Sequence, residues 1–145
     1  MHGSTVRNWH AVVEGFRTRR LMRDAWTHEA HLVVCLWHLL EQDDKAAALC
    51  VLRPGIILLN VAMGYENTHE HGYHETITVF WVERVWEFIQ KQDSREFGVL
   101  ADLLVKETRF FDRAFIHQYY PVGVYHSVLA RGQYIPPSEG HRICE

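Results

Sequence analysis

Eleven histidines stand in this 145-residue chain, beside 15 lysines and arginines together. Imidazole ionises near neutrality, so it serves there as acid, base or metal ligand. Spacing decides which rings act together. Helical turning of about 100° per residue puts His28, His31, Cys35 and His38 within one arc of roughly 80°. Leu32 and Leu39 share that side, and Val33 and Trp37 lie opposite. This helix is therefore apolar nearly all round and belongs inside the fold. The i, i+3 spacing of His28 and His31 lets both rings approach one ion.

A second set sits on a later helix. Its apolar stripe is Ile77, Trp81, Val82, Val85, Phe88 and Ile89, and His74 lies in line with it, one turn below Thr78. Glu75 falls about 100° round, at the edge of the stripe. Glu83 and Glu87 take the opposite face. If the two helices run roughly parallel, their histidine-bearing first turns meet at one end of the fold. If they are antiparallel, the histidines are separated.

Three imidazoles with an open fourth position describe a catalytic metal site. His28, His31 and His74 are thus expected to hold a divalent metal, zinc or iron. Glu75 or Glu29 would be a fourth ligand, a hydrogen-bond partner of a ring, or the base that takes a proton from metal-bound water. Thr78 and Tyr73 would hydrogen-bond the ligand. Hydrolysis and oxygen chemistry both remain open. The spacing excludes one relation: His28-Glu29-Ala30-His31 is one residue short of the i, i+4 zinc-protease pattern, and no second histidine follows His74 at that distance.

Other readings of the same residues stand beside this one. A single inward histidine is commonly a hydrogen-bonded core residue, and His38 next to Trp37 reads that way. His69 and His71 fall in a polar loop, at the surface or at the rim of a site. Cys35 reads as a small apolar core residue. Tyr119, Tyr120 and Tyr125 offer phenol hydroxyls, while Trp26, Trp37, Trp81 and Trp86 read as core filling. No glycine-rich phosphate loop, serine elbow or cysteine–histidine nucleophile motif occurs.

The elements that must position these groups are helical. Val6, Trp9, Val13 and Phe16 predict a first helix over 6–16, followed by a basic loop, 17–24. Thr27 is the expected N-cap of a second helix to about Leu40. Asp43 or Asp44 caps a third, which must bend or restart at Pro54-Gly55 and ends at Gly64. After a polar loop, 65–72, a fourth helix runs from Tyr73 to about Lys91. Asp93 or Ser94 caps a fifth ending near Thr108. Short helical pieces follow at 112–120 and 122–130, divided by Pro121. The expected fold is all-α, a single-domain bundle of five or six helices over 1–145, with its core at about 6–130 and an extended tail over 131–145.

Composition narrows the partners. The chain is 48% hydrophobic with a net charge of -3, and its basic residues are scattered, so nucleic acid is not an expected partner. The longest apolar stretch is broken by Asn60, so no membrane span is expected. Met1 to Thr5 show no secretory leader, and Cys35, Cys50 and Cys144 lack metal-finger spacing. They read as reduced thiols of a cytoplasmic protein.

Two segments resemble a family of small bacterial all-α proteins: Trp26-Thr27-His28-Glu29-Ala30-His31-Leu32, and Tyr73-His74-Glu75-Thr76-Ile77-Thr78. The family pattern is [FW]-T-H-x-x-H-L followed by Y-H-E-T-[IL]-T, with Tyr119-Tyr120 and Pro136-Pro137 further on. The likeness spans residues 6 to 138. It implies that His28, His31, His74, Glu75 and Thr78 are a shared polar set. This chain departs from the pattern after Gly55, where Ile56, Ile57 and Leu58 replace expected polar residues. An apolar face there would suit a homodimer. The leading expectation is a metal-dependent enzyme acting on a small molecule. The others are a non-catalytic metal, haem or ligand-sensing module, and a structural dimeric helical protein.

Overall fold

The computed structural model describes residues 8–107 and 114–137; Val6, Thr108, Asp112, His141 and Cys144 fall outside them. Seven α-helices and no strand occur among the described residues. Helix α1, Trp9–Arg17, starts where Asn8 accepts a hydrogen bond from the Ala11 N–H, and buries Trp9, Val12, Val13 and Phe16. Helix α2, His28–Gln42, is capped by the Thr27 hydroxyl on the Ala30 N–H at 3.1 Å. It forms the centre, packing against α1, α3, α4 (Glu75–Gln90) and α5 (Phe97–Lys106). Its all-round apolar surface is buried accordingly, from Ala30 through Leu39.

Helix α3, Lys45–Ala62, begins at Asp44, whose carboxylate accepts from the Ala47 N–H at 2.9 Å. The expected restart at Pro54 does not occur. Pro54 removes only the bond to the Cys50 carbonyl, and Pro54 and Cys50 are both exposed, so water can take that carbonyl. Gly55 lets α3 close onto α1. A Cβ there would lie 2.6 Å from the buried Phe16 ring. Val51, Leu58 and Val61 are exposed along this helix, the apolar surface on which the homodimer expectation rests. At 18 residues and a mean hydropathy of 1.6, α3 is long and apolar enough to cross a membrane by length and composition alone. Within the fold, its Arg53 pairs with Glu75 of α4.

The later boundaries shift from expectation. Helix α5 starts at Phe97, and the Ser94 hydroxyl instead accepts from the Glu96 N–H before it. Phe115–Gln118 is a single 3₁₀ turn. The helical piece after Pro121 divides into α6, Val122–Tyr125, and α7, Val128–Gly132, because Ser127 caps the Ala130 N–H. Residues 133–137 are extended and held down. The Thr76 hydroxyl donates to the Gln133 carbonyl and accepts from the Ile135 N–H, and the Tyr120 hydroxyl donates to the Ile135 carbonyl at 2.6 Å.

Candidate functional site

The first turns of α2 and α4 open on one cavity of about 650 Å³. Thr27, His28 and His31 line it from α2, and Tyr73, His74, Ile77, Thr78 and Trp81 from α4. Ile56 and Asn60 of α3, Ile116 and Tyr125 complete the walls; Tyr65, Glu66, His71 and Gly72 form a loop along the rim. The parallel alternative of the sequence reading is the one adopted. The volume suits a small organic molecule. A second cavity of about 410 Å³, against α1, holds His10 and neither motif.

Each imidazole has a distinct setting. The His31 Nδ1 lies 2.7 Å from the Thr27 carbonyl oxygen. A carbonyl only accepts, so Nδ1 carries the proton and the lone pair of the neutral ring sits on Nε2. That ring stacks on Trp26, centroids 3.6 Å apart at 24°. His28 meets Trp81 edge-on at 5.0 Å. His38 is a core residue, 2% exposed, with Nδ1 on the Val34 carbonyl and its ring edge-on to Phe16.

His74 departs from expectation. It is the N-cap of α4 rather than a residue of its first turn, and Nδ1 accepts from the Ile77 N–H at 3.2 Å. Its Nε2 lies 2.8 Å from the Tyr125 carbonyl and so donates. With both ring nitrogens engaged, His74 lends no lone pair to an ion without releasing its cap. No three His, Cys, Asp or Glu side chains among the described residues are placed to hold a metal. His28, His31 and His74 therefore do not fit a divalent ion in this arrangement.

Glu75 stands at the edge of the α4 stripe, as its position dictates, but faces α3. Arg53 grips it with two nitrogens, Nε at 3.0 Å and the terminal nitrogen at 2.7 Å. The Tyr73 hydroxyl donates to the same carboxylate at 2.6 Å. Burial alone would raise the Glu75 pKa, yet the hydrogen bonds from Arg53 and Tyr73 hold it below the usual carboxylate value. Burial and the bond to Glu75 push the Tyr73 hydroxyl up. Thr78 donates its hydroxyl to the His74 carbonyl at 2.9 Å. Tyr73, Glu75 and Thr78 thus brace the start of α4.

The rim loop depends on residues that the sequence did not single out. Asn67 accepts from the Tyr73 N–H and from the Asn60 amide, and donates to the Ile57 carbonyl. Arg131 of α7 donates to the carbonyls of Glu70, Gly72 and Tyr73. The Arg131 bonds join the loop to an element about 60 residues away, which no sequence signal links to it.

Two of these histidines set an acid limit on stability. Burial lowers the pKa of His74 despite the Tyr125 carbonyl, helped by the charges of Arg131 and His126. Burial likewise lowers that of His38. A folded chain that refuses protons the unfolded chain accepts loses stability as pH falls. Their contribution is full above the ordinary histidine value of 6.5 and drains as pH drops below it. Glu75 adds a loss of the same sign below its ordinary 4.5. Urea midpoints should fall from about pH 7.5 to about pH 5, and less steeply in His74→Asn, which keeps a capping oxygen but does not titrate. An unchanged slope in that variant would contradict the assignment.

No family model, curated protein or solved structure matches the chain. The likeness in the two motifs accordingly rests on the residues that carry it. Four of the five shared polar residues line or cap the cavity, and Glu75 sits behind its wall.

Proposed function

We propose that the chain is an enzyme acting on a small organic molecule in this cavity by imidazole acid–base chemistry. The observation that carries the reading is the convergence of His28, His31, His71 and His74 on one cavity of about 650 Å³. His31 is the base in this reading. The Thr27 carbonyl fixes the Nδ1–H tautomer and stabilises the imidazolium that forms when Nε2 takes a proton, while the Trp26 face favours the same cation. In this reading His28, one turn before it and also lining the cavity, returns a proton as the acid. His74, Glu75 and Tyr73 position the start of α4.

The aromatic walls, Trp26, Trp81 and Tyr125, favour a second reading, a ligand-binding module without turnover. One experiment separates the two. The protein is incubated with a mixed metabolite extract, and the pool is followed by mass spectrometry. The enzyme reading predicts a small molecule consumed by wild type in the presence of EDTA and spared by His31→Ala. A compound that co-purifies with the protein but is never consumed would establish the binding module. Consumption abolished by EDTA would overturn metal-free chemistry.

A further inference from the structure

We propose that the outer face of α3 is the seam of an antiparallel homodimer, in which Cys50 of one copy faces Val61 of the other. The dimer does not depend on what the cavity binds.

The polarity of α3 is inverted for a surface helix, which ordinarily turns its charged residues to water. Turning by about 100° per residue sets Ala46, Cys50, Val51, Pro54, Leu58 and Val61 within one arc of roughly 140°. All six are exposed, and Val51, Leu58 and Val61 keep 41%, 45% and 59% of their surface in solvent. The other two residues of the arc, Ala47 and Ile57, are apolar as well. The charged residues of the helix, Lys45 and Arg53, lie off the arc, paired with Glu83 and Glu75 of α4. The opposite side, with Ala48, Leu52, Gly55 and Leu59, is buried in the fold. A continuous apolar patch of this kind marks a contact surface.

Its size and surroundings identify the occupant. The arc offers on the order of 500 Å² per copy, so two copies bury about 1,000 Å², the lower bound of a specific interface before flanking residues join it. A twofold axis lays the same apolar stripe on both sides and needs no charge from the partner. A span across lipid would strip α3 from the core that holds its inner side and from its two ion pairs. An anionic lipid surface would meet the exposed carboxylates of Asp43 and Asp44 at the start of the helix. Those carboxylates also set the direction. Parallel pairing would place them side by side, with like helix ends together. Antiparallel pairing brings them toward the far end of the other copy, where exposed Arg23 holds the Met63 carbonyl. The Cys50 carbonyl, freed by Pro54, would keep a bridging water, as interfaces of this size do.

Sedimentation of the full chain under reducing conditions tests the seam. Wild type should be dimeric at about 100 μM, above the micromolar constants of interfaces this small. Leu58→Glu should raise the dissociation constant about a hundredfold, because the twofold buries the new charge twice. Val99→Glu, at a similarly exposed position of α5, should leave it unchanged. Circular dichroism checks that each variant keeps its helices. Charge complementation reads the direction: Cys50→Asp and Val61→Lys should each be monomeric alone and dimerise when mixed, since antiparallel packing sets one position against the other. A monomeric wild type would overturn the proposal, and flotation of that monomer with phosphatidylserine vesicles would put a lipid surface in the place of the second copy. A dimer indifferent to Leu58→Glu would overturn the seam, and a mixture that stays monomeric would overturn its antiparallel pairing.

Discussion

Alanine at position 31 is expected to lower turnover of the cavity's substrate by about 10²- to 10⁴-fold, the usual contribution of a positioned acid–base group. The loss should fall on kcat, since the ring acts on a proton in flight. His31→Phe provides the control, because it keeps a ring against Trp26 and removes both nitrogens. It should lose as much activity as alanine does. Thr27→Val should behave differently. It removes the hydroxyl that caps the Ala30 N–H, at about 1 kcal/mol of stability, but leaves the backbone carbonyl that orients His31. Its turnover at permissive temperature should stay within a few-fold of wild type. Steady-state kinetics beside circular dichroism checks all three, and an active His31→Phe would contradict the role.

Gly72→Ala should destabilise the chain by about 2–4 kcal/mol, read as a lower urea midpoint. Position 72 has φ +87°, where a side chain strains the backbone, and an added Cβ would lie 2.3 Å from the Glu66 carbonyl oxygen. The next nearest atoms are the side-chain oxygen and Cα of Asn67, at 2.6 and 2.8 Å. They cannot yield cheaply, since Asn67 is tied to Ile57, Asn60 and Tyr73. Relief would have to displace the cavity rim, so ligand binding should weaken with stability. Gly123→Ala is the matched control, with open space around the added methyl. Similar midpoints for the two variants would contradict the assignment of strain to the rim.

The parts of this fold legible in the sequence are those decided locally. Thr27, and Asp43 or Asp44, are the expected caps because a short polar side chain precedes each apolar helical run; Thr27 and Asp44 take those places, and Asp43 ends the preceding helix. Its alignment with the apolar stripe puts His74 in the first turn of α4 by sequence, yet its Nδ1 caps that helix. From this one shift follows the main change in the site: a capping nitrogen is no longer a ligand nitrogen. The meeting of α2 and α4 was left open, because periodicity gives a helix's face but not its direction in the bundle. Arg53 escaped notice for the same reason, since only the packing of α3 on α4 places it at Glu75. Asn60 was read only as an interruption of an apolar run. Its side chain finds a partner once the loop returns to place Asn67 beside it.

The central claim is a division of labour, in which His31 presents its basic nitrogen for chemistry and His74 is locked as a structural cap. Long-range ¹H–¹⁵N correlation of the imidazole rings near pH 7.5 tests it most directly. The account predicts His31 as the Nδ1–H tautomer and His74 as the Nε2–H tautomer, with His74 still neutral as the pH is lowered through the ordinary histidine value of 6.5. His31 found as the Nε2–H tautomer, or His74 exchanging between tautomers and titrating as an ordinary histidine, would contradict it.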